Sequence, residues 1–110
     1  MNKSLEYLLQ LQQIDIQIKE KDVEEKLGFK INDIESLKEA REKIVAKLGQ
    51  QLYNKYERIK NAYGNSVVSV VDGICLGCFS VLPTALVSQK DKNEKIINCP
   101  NCGRFLFWHE

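Results

Sequence analysis

The sequence predicts a small α+β protein, with helices in residues 1–63 and strands in residues 64–110. The first range contains no proline and no cysteine, and its only glycines are Gly28 and Gly49. It is rich in leucine, isoleucine, glutamate, lysine and glutamine, which favour helices. The second range holds both prolines, all four cysteines and a run of valines. We therefore place the boundary between two units just before Gly64, because glycine commonly ends a helix.

Apolar residues recur at helical spacing in the first range and predict two helices, residues 4–27 and 33–62. The segment Asn32-Asp33-Ile34-Glu35 is typical of a capping box at the start of the second helix. A turn at Gly28-Phe29-Lys30 would fold the helices into an antiparallel hairpin of the coiled-coil type. Gly49 is expected to kink or break the second helix, because glycine there costs about 1 kcal/mol relative to alanine.

The second range alternates short apolar runs with turn residues. Val67–Val71 and Phe79–Leu82 are predicted to be strands, and Pro83–Ser88 suits a short helix with proline near its first turn. Phe105–Trp108 forms the final predicted strand, which is apolar on both faces. One face is expected to cover the core of this unit, and the other to meet the helices or another molecule.

The four cysteines form two C-x-x-C pairs, Cys75/Cys78 and Cys99/Cys102, with twenty residues between them. Two tight turns of this kind can offer four thiolates to one tetrahedral zinc ion. Gly77 lies inside the first turn and Gly103 follows the second; each can take positive φ at low cost, which lets backbone N–H groups turn toward the sulfurs. Strands that flank such turns make a zinc ribbon. Four cysteines fill the tetrahedron, so the ion is expected to stabilise the fold rather than catalyse a reaction.

Three other uses of four cysteines compete with zinc. The start of the sequence lacks the apolar stretch of a signal peptide, which predicts a cytoplasmic protein, and structural disulfides are rare in that compartment. A thioredoxin-like redox pair needs a βαβ context that this sequence lacks. An iron–sulfur cluster or a rubredoxin-like iron site also uses four cysteines and stays an open alternative.

The composition and charge of the sequence argue against several classes of protein function. The net charge of +1 is unlike the basic balance of a dedicated nucleic-acid-binding protein, and no apolar run approaches the length of a membrane span. His109 is the only histidine, and no nucleophile–base pair or phosphate loop is visible, so no enzymatic activity is expected. Binding of RNA or DNA stays an alternative function, with phosphate contacts from four cations: Lys90, Lys92, Lys95 and Arg104.

Surplus apolar surface predicts a protein partner. A hairpin of two helices rarely hides both of its apolar stripes, and the final strand is apolar on both faces. A partner protein, or a second copy of the chain, is therefore expected on the hairpin or beside that strand. The predicted contacts are Leu8, Ile18, Leu106 and Trp108.

Several segments resemble those of a bacterial family that carries a long N-terminal coiled-coil hairpin and a C-terminal four-cysteine zinc ribbon. They are Asp72-Gly73-Ile74-Cys75-Leu76-Gly77-Cys78, Leu82-Pro83, Ile97-Asn98-Cys99-Pro100-Asn101-Cys102-Gly103-Arg104-Phe105-Leu106-Phe107-Trp108 and, more loosely, Leu11-Gln12-Gln13-Ile14-Asp15 and Tyr56-Glu57-Arg58-Ile59. The resemblance implies a non-enzymatic adaptor. Some members bind the sigma factor RpoN through the hairpin and influence flagellar or secretion genes, and nucleic-acid binding is ascribed to the ribbon. Members typically have a longer coiled-coil arm than this sequence.

Overall fold

The computed structural model describes residues 1–28, 34–89 and 92–108, apart from the side chain of Glu25. It is the predicted α+β fold, with helices first and a small three-stranded sheet after them. Within the described ranges, no helix is both long enough and apolar enough to cross a membrane. The elements are α1 (Lys3–Lys26), α2 (Ile34–Leu48), α3 (Gln50–Tyr63), β1 (Val67–Val71), β2 (Ile74–Cys75), α4 (Thr84–Val87) and β3 (Phe105–Trp108).

Helices α1 and α2 pack against each other in antiparallel directions. Asp15, in the middle of α1, contacts Arg41 of α2, while Leu8 and Leu48 share a cluster nearer the other end. Helix α1 ends at Lys26, and Gly28 follows with φ 93°, as the hairpin prediction requires. The predicted turn at residues 29–30 and the capping residues 32–33 lie outside the described residues.

The predicted helix 33–62 is in fact two helices. Gly49 has φ 94°, a conformation that is costly for residues with a Cβ, and it separates α2 from α3. Its N–H still donates to the carbonyl of Val45 at 3.2 Å, and its carbonyl accepts from Tyr53 at 3.1 Å. Backbone hydrogen bonds therefore continue on both sides of Gly49 although the helix is divided there.

The sheet has the order β2-β1-β3, with β1 antiparallel to β2 and parallel to β3. The predicted bounds of β1 and β3 match the structure, and α4 lies in the predicted short helix. The predicted strand 79–82 is reduced to a single bridge between Val81 and Ile74. Phe79 has positive φ and Pro83 has no N–H, so only a very short extended stretch fits between them. Strand β2, two residues long, was not predicted.

The two faces of the sheet bury two different apolar clusters. Val68 and Leu106 face the cysteines and belong to what we call the metal-side cluster. Val67 and Phe105 face the helices and pack with Leu8 of α1 in what we call the helix-side cluster. One face of β3 thus covers the core of the C-terminal unit and the other meets the helices. The division into units 1–63 and 64–110 stays a prediction, since the helix-side cluster spans both.

This arrangement corrects three predicted partner contacts. Leu8, Leu106 and Trp108 were expected on a surface open to a partner, but all three are buried within the chain. Leu8 packs against the helix-side face of the sheet, whereas Leu106 and Trp108 are buried in the metal-side cluster. Sequence periodicity alone does not reveal either cover. Ile18, the fourth predicted contact, is half-buried and lines a groove of about 520 Å³ along the helices.

Gln12 joins α1 to the start of the sheet. Its Oε1 accepts hydrogen bonds from the backbone N–H groups of Ser66 (2.9 Å) and Val67 (2.8 Å). Its Nε2 donates to the carbonyl of Val67 at 2.9 Å. One side chain therefore satisfies three backbone groups at the point where the chain passes from helix to strand.

Asp15 joins all three long helices through a half-buried polar network. Its Oδ1 accepts a hydrogen bond from Arg41 Nε of α2 at 2.7 Å, and its Oδ2 accepts one from the Tyr56 hydroxyl of α3 at 2.7 Å. Arg41 also contacts Glu57 through Nη2 at 2.5 Å, and Lys60 Nζ lies 3.1 Å from the same carboxylate. Burial raises the pKa of Asp15, but the hydrogen bonds from Arg41 and Tyr56 outweigh it and leave that pKa below its usual value.

Replacing Asp15 with asparagine is expected to lower the free energy of unfolding by about 2 kcal/mol at pH 7, because a charged hydrogen-bond acceptor is lost. A carboxylate whose folded pKa lies below its unfolded pKa stabilises the fold above the unfolded value. That contribution is lost as pH falls through the folded pKa. The difference between wild type and Asp15→Asn should therefore shrink below about pH 4. Urea unfolding of both proteins from pH 7 to pH 3 measures it.

Asp22→Asn is the matched control, because Asp22 lies on the same helix and, among the described residues, forms an ion pair with Lys26 at the surface. Its effect should stay below about 0.5 kcal/mol. If acid releases the metal, it does so from wild type and from both variants. The effect therefore cancels in the difference between their free energies of unfolding. A difference for Asp15→Asn that grows on acidification would contradict the expected role of this carboxylate.

Candidate metal centre

The four cysteines converge at one end of the sheet. Their Sγ atoms all lie within 4.8 Å of one another. Cys75 and Cys99 are buried, while Cys78 and Cys102 are half-buried. The folded chain thus brings the two pairs together, as their spacing predicts.

The geometry of the sulfurs fits a tetrahedral metal ion. Four thiolates at about 2.3 Å from a central ion are separated from one another by about 3.8 Å. The Sγ atoms of Cys75 and Cys102 are 3.8 Å apart, and those of Cys78 and Cys99 are 3.7 Å apart. The four cysteines are therefore positioned to bind one metal ion, with no position left open for a substrate.

The two C-x-x-C pairs form the same backbone turn. In the first turn, residues 75–80, the carbonyl of Cys75 accepts from Phe79 N at 2.7 Å and its N–H donates to Ser80 O at 3.0 Å. In the second turn, residues 99–104, the carbonyl of Cys99 accepts from Gly103 N at 2.8 Å and its N–H donates to Arg104 O at 2.9 Å. Each turn therefore presents its two sulfurs in the same way.

The residue that follows the second cysteine has positive φ in both turns. Gly103 has φ 81°, as predicted, and Phe79 occupies the equivalent position with φ 61°. This conformation is costly for a residue with a Cβ, and it is uncommon for a bulky aromatic one. Sequence reasoning missed Phe79. The signal was present, because Phe79 stands where the second pair has glycine.

Gly77 is required for space rather than for its backbone conformation. Gly77 does not use the positive φ that glycine allows it. A Cβ at this position would lie 2.5 Å from Nη1 of Arg104 and 3.1 Å from Cγ1 of Val68. The missing side chain therefore lets Arg104 of the second turn pack against the first turn.

Comparison with known proteins agrees with this geometry. Residues 74–106 match the C4-type zinc ribbon domain family. Two solved structures are similar to the chain, each with 26% sequence identity. The HP0958 protein from Helicobacter pylori CCUG 17874 has a TM-score of 0.61, and the match covers 86% of this chain and 37% of that one. CT398 from Chlamydia trachomatis has a TM-score of 0.59, with 70% and 33% covered. This chain therefore spans about a third of the length of each of these two proteins. A search of curated proteins found no match.

The surroundings of the four thiols shift their pKa values in different directions. Burial raises the pKa of the Cys75 thiol to about 12, and it also raises the pKa of Cys102. Hydrogen bonds from Asn101 and Ser80 lower the pKa of the Cys78 thiol to about 5. Asn101 Nδ2 also donates to Ser80 Oγ at 2.9 Å and so links the two turns. A divalent ion deprotonates the thiols that coordinate it, which offsets the effect of burial.

The ribbon does not gather the four predicted phosphate-binding cations on one surface. Arg104 is buried beneath the ring of Tyr63, which corrects its prediction as a surface cation. Lys92 Nζ lies 5.1 Å from the ring centroid of Trp108, and Lys95 is exposed. Lys90 and the lone histidine at 109 lie outside the described residues.

Proposed function

We propose that this chain is a non-enzymatic cytoplasmic adaptor, whose ribbon holds one zinc ion and whose surface binds a protein of the transcription machinery. Zinc is the proposed ion because it favours tetrahedral sites with four thiolates. The proposal of a protein partner depends above all on one observation, an exposed apolar surface beside the first turn. A sigma subunit is the partner class that the resemblance to hairpin-and-ribbon proteins suggests.

That surface, which we call the ribbon edge, consists of Val71, Leu76, Phe79 and Val81. Phe79 is 73% exposed and Val81 is 80% exposed. Val71 is paired with Ile74, and Ile74 with Val81, so these three form a cross-strand row on one face of the sheet. Exposed apolar residues that adjoin one another in this way are typical of interaction sites.

Phe79 gives the strongest support for a binding role. Its left-handed backbone costs of the order of 1 kcal/mol, whereas glycine at this position would relieve the cost. Its ring is largely exposed, so burial within the chain does not offset that cost. Strained residues cluster at functional sites, and aromatic side chains often anchor protein interfaces. Contact with a partner would give the ring the burial that it lacks here.

The scarcity of charged residues around the ribbon edge favours an apolar protein surface, and not a nucleic acid, as the partner that binds there. Asp72 is the only charged residue in residues 64–89, so this stretch offers no cation to a phosphate. Helix α1 and the residue that follows it expose a second group of apolar residues: Ile16, Val23 and Leu27. This second group is the alternative site for a partner or for a second copy of the chain.

We expect Phe79→Gly and Val81→Lys to reduce capture of a transcription component at least tenfold. Phe79→Gly should also unfold at the same or a higher temperature than wild type, because glycine relieves the backbone strain. The measurement is affinity capture of the full chain from the native host, with quantitative mass spectrometry, zinc analysis and thermal unfolding of each variant.

Val23→Lys is the matched control, since it places the same charge on an exposed valine far from the ribbon. Loss of the partner in Val23→Lys alone would move the interface to α1. Unchanged capture by all three variants would refute both surfaces. A wild-type protein without zinc would refute the proposed ion.

Binding of RNA or DNA is the second candidate, supported by Lys92 and Lys95 on one ribbon loop. With Arg104 buried, we expect only non-specific affinity, with a dissociation constant of about 10⁻⁴ to 10⁻⁶ M at physiological salt. That affinity should fall further as salt is raised. Fluorescence anisotropy with a labelled single-stranded RNA, for wild type and Lys92→Gln/Lys95→Gln, tests this. Tight binding that is insensitive to salt would contradict it.

A further inference from the structure

Arg104 is a buried cation without a counter-ion among the residues that the structure describes. It is 8% exposed, and its Nε has no hydrogen-bond partner there. No carboxylate in the described ranges forms an ion pair with it. Its guanidinium stacks on the ring of Tyr63, with Cζ 4.2 Å from the ring centroid. A buried charge of this kind is strongly destabilising unless an opposite charge lies nearby.

Four thiolates with a divalent ion bound would supply that opposite charge. Four thiolates and one divalent cation together carry a net charge of about −2, and this charge is partly buried. Electrostatic attraction falls off slowly in a medium of low dielectric constant, so a cation need not touch the sulfurs to stabilise them. The metal centre is therefore the natural electrostatic partner of Arg104.

Arg104 contacts both turns, which supports the metal centre as its electrostatic partner. Its carbonyl accepts the N–H of Cys99 at 2.9 Å, which fixes its backbone in the second turn. Its side chain reaches across to the first turn, where Nη1 packs over Gly77. Gly77 lies between the ligands Cys75 and Cys78. The positive charge is thus held beside the sequence segment that supplies two of the four sulfurs.

We propose that Arg104 is the counter-charge of the metal–thiolate centre. It is a positioning residue and not a ligand: its charge stabilises the electron pairs of the thiolates and makes them less reactive toward electrophiles. Stacking on Tyr63, the last residue of α3, holds the guanidinium in place and connects the metal centre to the helices. This proposal needs a divalent ion at the four cysteines but not the proposed protein partner.

Cobalt-loaded protein offers a direct test, because the energy of its sulfur-to-metal charge-transfer band reports on the thiolate electron pairs. In Arg104→Met the band should move to lower energy, and alkylation of the loaded protein by iodoacetamide should become about tenfold faster. Arg104→Lys restores the charge without the planar fork and should return both values toward wild type. Tyr63→Leu removes the stacked ring that positions the guanidinium but leaves the charge, so its effect on both values should be much smaller than that of Arg104→Met.

Several outcomes would overturn the proposal. They are unchanged values in Arg104→Met, equal shifts in Arg104→Met and Arg104→Lys, or a shift in Tyr63→Leu as large as that in Arg104→Met. Arg104→Gln guards against a folding defect, since it is neutral but polar. If neither neutral variant binds cobalt while Arg104→Lys does, the requirement for charge is upheld. A wild-type chain that binds no cobalt would overturn both this proposal and the metal site, whereas cobalt binding without a shift would overturn only the role of Arg104.

Discussion

Replacing Cys99 with serine is expected to remove the metal ion and unfold the zinc ribbon. Cys99 is a buried member of both the ligand set and the metal-side cluster. Apparent binding free energies of structural zinc sites are about 10–16 kcal/mol, and this energy is available for folding. The total stability of a small domain is only about 5–15 kcal/mol. Loss of one ligand can therefore exceed all the other contributions to the stability of the ribbon.

Trp108 makes this unfolding measurable. It is the only tryptophan in the chain and is buried in the metal-side cluster. We expect Cys99→Ser to contain no zinc by elemental analysis and to lose the near-ultraviolet circular dichroism of Trp108. Treatment of wild type with a strong chelator should give the same spectrum. Leu76→Ser is the control, because Leu76 is exposed in the first turn and is not a ligand. A Cys99→Ser variant with bound metal and an intact Trp108 signal would contradict this prediction.

The sequence was most informative where a structural feature depends on neighbouring residues. Each C-x-x-C pair forms its own turn, so the ligand set could be predicted from spacing alone. The run of valines in β1 and the apolar run in β3 likewise specify strands locally. Gly49 was expected as a weak point of a helix, and its positive φ shows why the helix divides there.

The sequence was least informative where two distant segments meet. Arginine is usually a surface cation, but Arg104 is buried because Tyr63 stacks on it and because the first turn has no side chain at Gly77. Leu8 belongs to an apolar stripe of α1 that is covered partly by Val67 and Phe105 of the sheet. Trp108 is covered by distant residues of the metal-side cluster. Hydrophobic periodicity identifies the face that is buried, but it does not identify what buries it. Exposed apolar side chains therefore lie at the ribbon edge and along the first helix instead of at Leu8, Leu106 and Trp108.

Phe105→Ala is expected to give the second large loss of stability, by a different route. Phe105 is 0% exposed and lies opposite Val67 at the centre of the helix-side cluster, where it packs with Leu8 and Tyr56. Removing a fully buried phenylalanine side chain costs about 3–5 kcal/mol, because apolar contacts are lost and a cavity remains. Since Phe105 joins the helices to the sheet, we expect the helices to lose much of their cover while the four ligands stay in place.

Phe107→Ala provides the matched comparison, because Phe107 lies on the same face of β3 but is only half-buried. It should lose about half as much stability, or less, when both variants are unfolded in urea with zinc present. Zinc content should equal that of wild type in both, since neither ring belongs to the metal-side cluster. Equal losses of stability would show that burial against the helices does not decide the effect. Loss of zinc in Phe105→Ala would show that the helix-side cluster is needed to hold the two turns together.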